Sequence, residues 1–267
     1  AQREPYSSGL LRRIVACVTG GAFLLTCLAV RGVEARVEAA PEAAHVPFRE
    51  GLAEIWSERR ARNFTFFVFL SMTAYFMQEL ILEPYSGLVF GFTPGQSTSL
   101  SGAQNGGVFI GMVLVGVMAT GFKLGSLRAW VIGGCLGSAA MLAILATLGH
   151  VGTGAPLPPA VVGLGFFNGV FAVAAIGSMM ALAGQGRHAR EGTRMGLWGA
   201  AQALAAGFGG LVGAALVDVM RVGLGRDATA FGTVFLIEAA LFVAAAYMAL
   251  RVMDRPGVPH KVLVPGE

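Results

Sequence analysis

Apolar residues along the chain gather into seven long runs separated by shorter polar stretches. The runs cover approximately Ile14–Val30, Phe64–Leu82, Leu100–Phe122, Trp130–Leu148, Ala160–Leu182, Leu197–Val219 and Phe231–Leu250. A helix needs roughly 20 predominantly apolar residues to cross a hydrocarbon core, so each run predicts a transmembrane helix. The first run is the shortest. Their interiors are rich in Gly and Ala, which a helix tolerates in lipid because no water competes for its backbone. One polar stretch carries an element of its own. Phe48, Leu52, Ile55 and Trp56 fall at i, i+4, i+7 and i+8, with Arg49, Glu50, Glu54, Glu58 and Arg59 around them. That pattern predicts a short amphipathic helix lying at the membrane surface. Before it, Glu34 to Pro47 alternates Glu, Arg and Ala around two prolines and reads as a linker.

Composition agrees with this pattern. Only 13% of the residues are charged and 55% are hydrophobic, against roughly a quarter charged in a soluble domain. The fold class is therefore an all-α membrane protein. Cys17, Cys27 and Cys135 all fall in apolar runs, with no CxxC pair and no Cys/His cluster, and are expected to be buried packing residues.

Arginine and lysine set the expected orientation. The connections at 31–63, 123–129, 183–196 and 251–267 hold six, two, three and three of them. Those at 83–99 and 149–159 hold none, and 220–230 holds Arg221 and Arg226. The positive-inside rule makes the first set cytoplasmic, and with it the C-terminus. The net positive charge is spread over these inner connections, which argues against nucleic acid as a partner. Seven spans then put the N-terminus outside, although it carries Arg3, Arg12 and Arg13. With no initiator Met either, residue 1 is expected to follow a missing upstream portion.

Ionisable and amide groups inside spans are costly in lipid, and so they are candidates for function. Glu79 and Glu83 stand at i, i+4 near the outer end of the second span and share a face with Tyr75, with Gln78 beside them. Pro84 is expected to end that helix and to leave Tyr85 at the membrane interface. The two carboxylates read either as hydrated groups near the lipid headgroups or as functional ones. Glu238 lies roughly 10 Å inside the last span at 1.5 Å per residue. It should face the bundle interior, as a hydrogen-bonding partner or as a functional carboxyl. Gln104, Asn105, Asn168 and Gln202 are in-span amides that fit interhelical hydrogen bonds. Asp218 closes the sixth span and should be hydrated. Small-residue pairs at Gly102/Gly106, Gly107/Gly111, Gly133/Gly137 and Gly209/Gly213 predict close helix approach.

Several classes are excluded. A retinal Schiff base needs a lysine within a span, and the two lysines, Lys123 and Lys261, fall outside. His45, His150, His188 and His260 also fall outside, so no in-span imidazole is expected to hold a haem or chlorin metal. No P-loop, HExxH or GxSxG motif is present, and no enzyme is expected.

Two stretches carry a family resemblance. Phe76-Met77-Gln78-Glu79-Leu80-Ile81-Leu82-Glu83-Pro84-Tyr85, followed by Gly91-Phe92-Thr93-Pro94-Gly95-Gln96-Ser97-Thr98, resembles the signature of the PucC/LhaA group. That group is the bacteriochlorophyll-delivery branch of the major facilitator superfamily. The second is Gly196-Leu197-Trp198-Gly199-Ala200-Ala201-Gln202-Ala203 with Gly207 and Gly210 after it. Val234-Phe235-Leu236-Ile237-Glu238 and the exit Gly32-Val33-Glu34-Ala35-Arg36 are similar in position. The resemblance covers most of residues 30–250.

It implies a twelve-helix facilitator fold in two six-helix halves paired around a midplane cavity. Residues 1–30 would be the last helix of the first half and 31–63 the central cytoplasmic loop. The six-helix second half would occupy 64–250, and a cytoplasmic tail 251–267. The implied location is the bacterial inner, or intracytoplasmic photosynthetic, membrane. The implied work is assembly of light-harvesting complexes, with antenna polypeptides, the photosynthetic core complex and membrane lipids as partners and bacteriochlorophyll as a possible cofactor. By position, the candidate pigment- or partner-binding residues are Gln78, Glu79, Glu83, Tyr85, Gln104, Asn105, Asn168, Trp198, Gln202 and Glu238. A bound chlorin magnesium would take an oxygen ligand, such as Glu, Gln, Asn, a carbonyl or water. The alternative is a proton-coupled secondary transporter of a small solute, driven by Glu79 or Glu238. Against it, the hairpin Gly121-Phe122-Lys123-Leu124-Gly125-Ser126-Leu127-Arg128 lacks the acidic residue of the usual facilitator loop motif. A third reading is a structural subunit whose polar residues only join helices.

Overall fold

The computed structural model describes residues 8–31, 48–152, 154–183 and 191–253. All elements among them are helical: α1 (Ser8–Val30), α2 (Phe48–Ser57), α3 (Arg59–Phe90), α4 (Pro94–Gly116), α5 (Leu127–Val151), α6 (Leu157–Ala183), α7 (Glu191–Leu224) and α8 (Asp227–Val252). A π-helical turn, Val117–Gly121, continues α4. Seven of these helices, all but α2, are long and apolar enough to cross a membrane. The chain is a multi-pass membrane protein. The predicted linker at 34–47, the residues of the tail beyond 253, and His45, His188 and His260 lie outside the described residues.

Each predicted span lies within one of these helices to within one residue. The helices run further because backbone hydrogen bonding continues past the apolar zone into polar surroundings, as at Arg59–Asn63 and Glu191–Arg194. His150 is accordingly part of the last turn of α5, where it is exposed.

The chain divides into two units, Ala1–His45 and Val46–Glu267. In the first, the described element is α1. Cys17 and Cys27 are exposed on it, against expectation, because no other described element of that unit covers them. Cys135, in the second unit, is buried.

In the second unit α3 packs on α7 and α8, α4 on α6, and α5 on α6 and α8. Glycine makes two of these seams. A Cβ at Gly107 or Gly111 would collide with the carbonyl oxygens of Val162 and Phe166 on α6. Gly165 and Gly169 return the contact, facing the carbonyls of Gln104 and Val108 on α4. At the α3–α7 seam, a Cβ on Gly213 would stand 2.9 Å from the Met77 carbonyl oxygen. The pairs Gly107/Gly111 and Gly209/Gly213 thus pack as predicted. Gly102 and Gly106 face open space, as does Gly133.

Pro84 does not end α3, which runs six residues further to a left-handed cap at Gly91 (φ 73°). A proline removes one backbone donor, and a membrane helix tolerates that loss when neighbouring groups compensate. The turn that follows is set by Thr93 and Gln96, a reciprocal capping box. The Thr93 hydroxyl accepts from the Gln96 N–H at 3.4 Å, and the Gln96 side chain accepts from the Thr93 N–H at 2.9 Å. Pro94 opens α4 in its first turn, where its missing N–H costs nothing. Ser86 and Ser97 hydrogen-bond at 2.9 Å and tie the two helix ends together.

Helix α2 forms where predicted. Ile55 is buried, Leu52 half-buried, and Trp56 stays exposed while meeting Phe66 edge-on at 5.8 Å.

Candidate functional site

Polar side chains without partners mark two places in the bundle. The first is a layer at mid-depth. Ring contacts fix the register of the helices that build it. Tyr85 on α3 stacks against Phe231 and Phe235 on α8, at 5.5 and 4.8 Å between centroids. From there Gln78 lies seven residues along α3, about 10 Å, and Glu238 lies one turn beyond Phe235 on the antiparallel α8. Phe171 on α6 meets Phe242 on α8 at 6.1 Å, and Asn168 and Glu238 each lie one turn back from those rings. Ser138 on α5 joins the layer by donating to Asn168 Oδ1 at 2.8 Å. Gln78, Ser138, Asn168 and Glu238 are all at most 1% exposed.

The hydrogen bonding of this layer is incomplete. Gln78 Oε1, Asn168 Nδ2 and both carboxyl oxygens of Glu238 have no partner. A buried polar group without a hydrogen bond costs about 1–3 kcal/mol on protein mutational scales, and an isolated charge costs far more. The set contains donors and acceptors at a similar depth on four helices. It can hold a proton or a bridging water, or be completed by a polar group of another molecule. It cannot meet a flat macrocycle while the helices stay packed, because Phe235, Phe242 and Ala239 beside Glu238 are buried too.

The second place is at the N-terminal end of α7. Arg194 is buried and its Nη2 donates to both carboxylate oxygens of Glu58, at 2.7 and 2.6 Å. One turn on, Trp198 is 1% exposed and meets Phe64 edge-on at 4.8 Å. Arg194 Nε and Trp198 Nε1 have no partner.

The other sequence-predicted residues fall elsewhere. Tyr85 is fully buried rather than interfacial, and its hydroxyl donates to the Leu145 carbonyl of α5 at 2.5 Å. Its aromatic body is large enough that packing against Phe90, Phe231 and Phe235 outweighs the pull of the interface on one hydroxyl. Tyr85→Phe should therefore cost only about 0.5–1.5 kcal/mol, read as a small drop in melting temperature in mild detergent. Glu79, Glu83 and Asn105 are exposed, and Gln104 and Gln202 are half-buried. Asp218 is exposed as expected, 3.9 Å from Arg221. Sequence reasoning missed Ser138 and Arg194. Arg194 had a signal: it stands four residues before the in-span Trp198, on the same helical face.

Comparison with known proteins gives one consistent answer. The chain is 63% identical over 255 residues to the bacteriochlorophyll synthase 44.5 kDa chain of Rhodobacter capsulatus, covering 95% of this chain and 59% of that protein. It is 28% identical over 245 residues to Protein PucC of Cereibacter sphaeroides, covering 88% of this chain and 52% of that protein. A Rhodobacter capsulatus protein from the puhA-bchM intergenic region, uncharacterized, is 30% identical over 181 residues. The chain thus spans little more than half the length of the first two of these relatives. The sequence profile of one family matches residues 2–256, including both signature stretches and the helices that carry the buried layer: the chain belongs to the PUCC protein family.

Proposed function

We propose that this chain works in the assembly of light-harvesting complexes, as a membrane factor that holds bacteriochlorophyll or antenna polypeptides beside its bundle. The family match over residues 2–256 carries the reading. The kinship with a protein named for bacteriochlorophyll synthesis supports a link to the pigment. The role is a holding one and not catalysis. Oxygen-bearing side chains on accessible faces, Glu79, Glu83 and Asn105, have the donor chemistry that a chlorin magnesium accepts. They fit the pigment better than the enclosed Glu238 does. The basic end of the bundle is read as cytoplasmic, in a photosynthetic inner membrane.

The test is the absorption spectrum and subunit content of the complete protein, purified gently from pigmented cells. Bacteriochlorophyll or antenna subunits should accompany it, and deletion should lower antenna absorbance in the membrane. A preparation free of both, from cells rich in pigment, would falsify the reading. A second reading, proton-coupled transport, is favoured by one observation, the enclosed carboxyl of Glu238 within a span. It requires proton-driven uptake in vesicles that is lost in Glu238→Gln.

A further inference from the structure

Among the described residues six side-chain atoms are buried without a partner, and two of them, Arg194 Nε and Trp198 Nε1, belong to residues lining one cavity. The cavity measures about 510 Å³ and lies where α2 meets α3, with Glu58, Arg59, Arg60 and Phe64 among its other walls. From this arrangement we infer that it is an oxyanion site, taking a phosphate group at the level of the lipid headgroups.

The argument starts from what the two atoms can do. Guanidinium and indole N–H groups donate and never accept. The unmet demand is therefore wholly for an acceptor, and a cation or a donor group would not answer it. Arg194 and Trp198 stand at i, i+4, so both project from one face of α7. Charge then selects the kind of acceptor. The walls hold Arg59, Arg60 and Arg194 against Glu54 and Glu58, one positive charge in surplus. Glu58 already faces Arg194 Nη2 at 2.6 Å. It orients the guanidinium and leaves Nε for a further ligand. Glu54 and Arg60 have interactions of their own.

Position completes the case. A second basic cavity, about 520 Å³, shares Arg59 and Arg60 and adds Arg251 and Tyr247. The Arg251 guanidinium lies 5.1 Å over the Tyr247 ring. These arginines ring the place where α3, α7 and α8 leave their apolar stretches. Basic pockets between spans at that level suit anionic headgroups, and the planar guanidinium suits phosphate oxygens. Phe64 and Leu182 give the same cavity an apolar wall against which an acyl chain can lie. This site stands independently of the assembly reading.

The experiment uses the complete protein, delipidated in mild detergent, with native mass spectrometry as the readout. Three probes separate the sources: phosphatidylglycerol, phosphatidylcholine of the same acyl chains, and inorganic phosphate. The wild-type protein should hold phosphatidylglycerol about tenfold more tightly than phosphatidylcholine, the size expected for one charge-assisted hydrogen bond. Trp198→Phe keeps a smaller aromatic ring against Phe64 and removes the donor. Arg194→Lys keeps the charge and removes the fork. Each should lower phosphatidylglycerol binding by about fivefold to tenfold and leave phosphatidylcholine binding unchanged. Displacement of the lipid by millimolar phosphate would assign the oxyanion to a soluble source, and no displacement would assign it to lipid. Equal binding of both lipids together with no phosphate binding would overturn the site. So would wild-type affinity in a folded Trp198→Phe, a test that stands even if Arg194→Lys fails to fold.

Discussion

Valine at Gly111 is expected to prise α4 from α6 and to lower the stability of the bundle by about 3 kcal/mol. A first carbon at that position already collides with the Phe166 carbonyl oxygen, which is helix backbone and cannot swing aside. The branched side chain adds two more carbons to the same space. The helices must then separate, and the facing glycines Gly165 and Gly169 lose their contacts with α4 as well. In lipid there is little hydrophobic gain to offset this, because association rests on close packing itself. Gly106→Ala is the matched control on the same helix. Nothing lies within 4 Å of the carbon it would add, and alanine is the better helix former. Thermal unfolding and size-exclusion profiles in mild detergent should show a large loss for Gly111→Val and none for Gly106→Ala. Equal behaviour of the two would mean that the α4–α6 seam is not held by glycine.

Glu238→Met is expected to act in the opposite direction on stability. The wild-type carboxyl is wholly enclosed and neither oxygen has a partner. Methionine is close in volume and flexible enough to fill the space, and it removes the unmet acceptors. The bundle should gain about 1–3 kcal/mol. Glu238→Gln keeps polar atoms in the same enclosure and should stay near the wild type. Antenna absorbance in membranes of a complemented deletion strain is then the second measurement. A group held at a cost to the fold is expected to work for its keep, so Glu238→Met should give a more stable protein and less antenna. Unchanged antenna in a stabilised variant would remove Glu238 from the function.

Most of the fold was legible because lipid leaves few choices. Long apolar runs must be helices, and each of the seven runs became one. Their ends were not legible to the same degree. Polar residues such as Asn63 or Arg194 read as loop, although the backbone stays helical beyond the apolar zone. The buried layer was half visible. Gln78, Asn168 and Glu238 each announce their depth through position within a span. Which face they take depends on packing between helices up to 160 residues apart in sequence (Gln78 to Glu238). Ser138 carried no signal, since a serine among glycines and alanines is ordinary in a membrane helix.

The signature stretches look different once folded. Tyr85 holds an aromatic core, and Thr93, Pro94 and Gln96 form a helix start. Gly209 and Gly213, in the same helix as Trp198, seat α7 on α3. Much of what marks this family therefore shapes its backbone. Glu79 and Glu83 are the ionisable carboxylates of the first stretch, and both are exposed and open to contact with other molecules. The glycine seams tell the same story from the other side. Gly107 and Gly111 were visible as a pair, but their partners Gly165 and Gly169 were not, because Phe166, Phe167 and Asn168 fill the interval between them.

The packing of α3 against α7 and α8 has a consequence for how the protein is made. Its partners α7 and α8 leave the ribosome well after it, and α7 begins about a hundred residues after α3 ends, so at roughly 5–20 residues per second the wait is about 5–20 s. During that interval the amide of Gln78 faces lipid or a temporary companion. The α4–α6 pair closes earlier, with only α5 between its members. Biogenesis thus has an order written into it: the α4–α6 pair locks first, and the helix with the buried amide is captured later. A companion such as the insertion machinery has its longest task at α3.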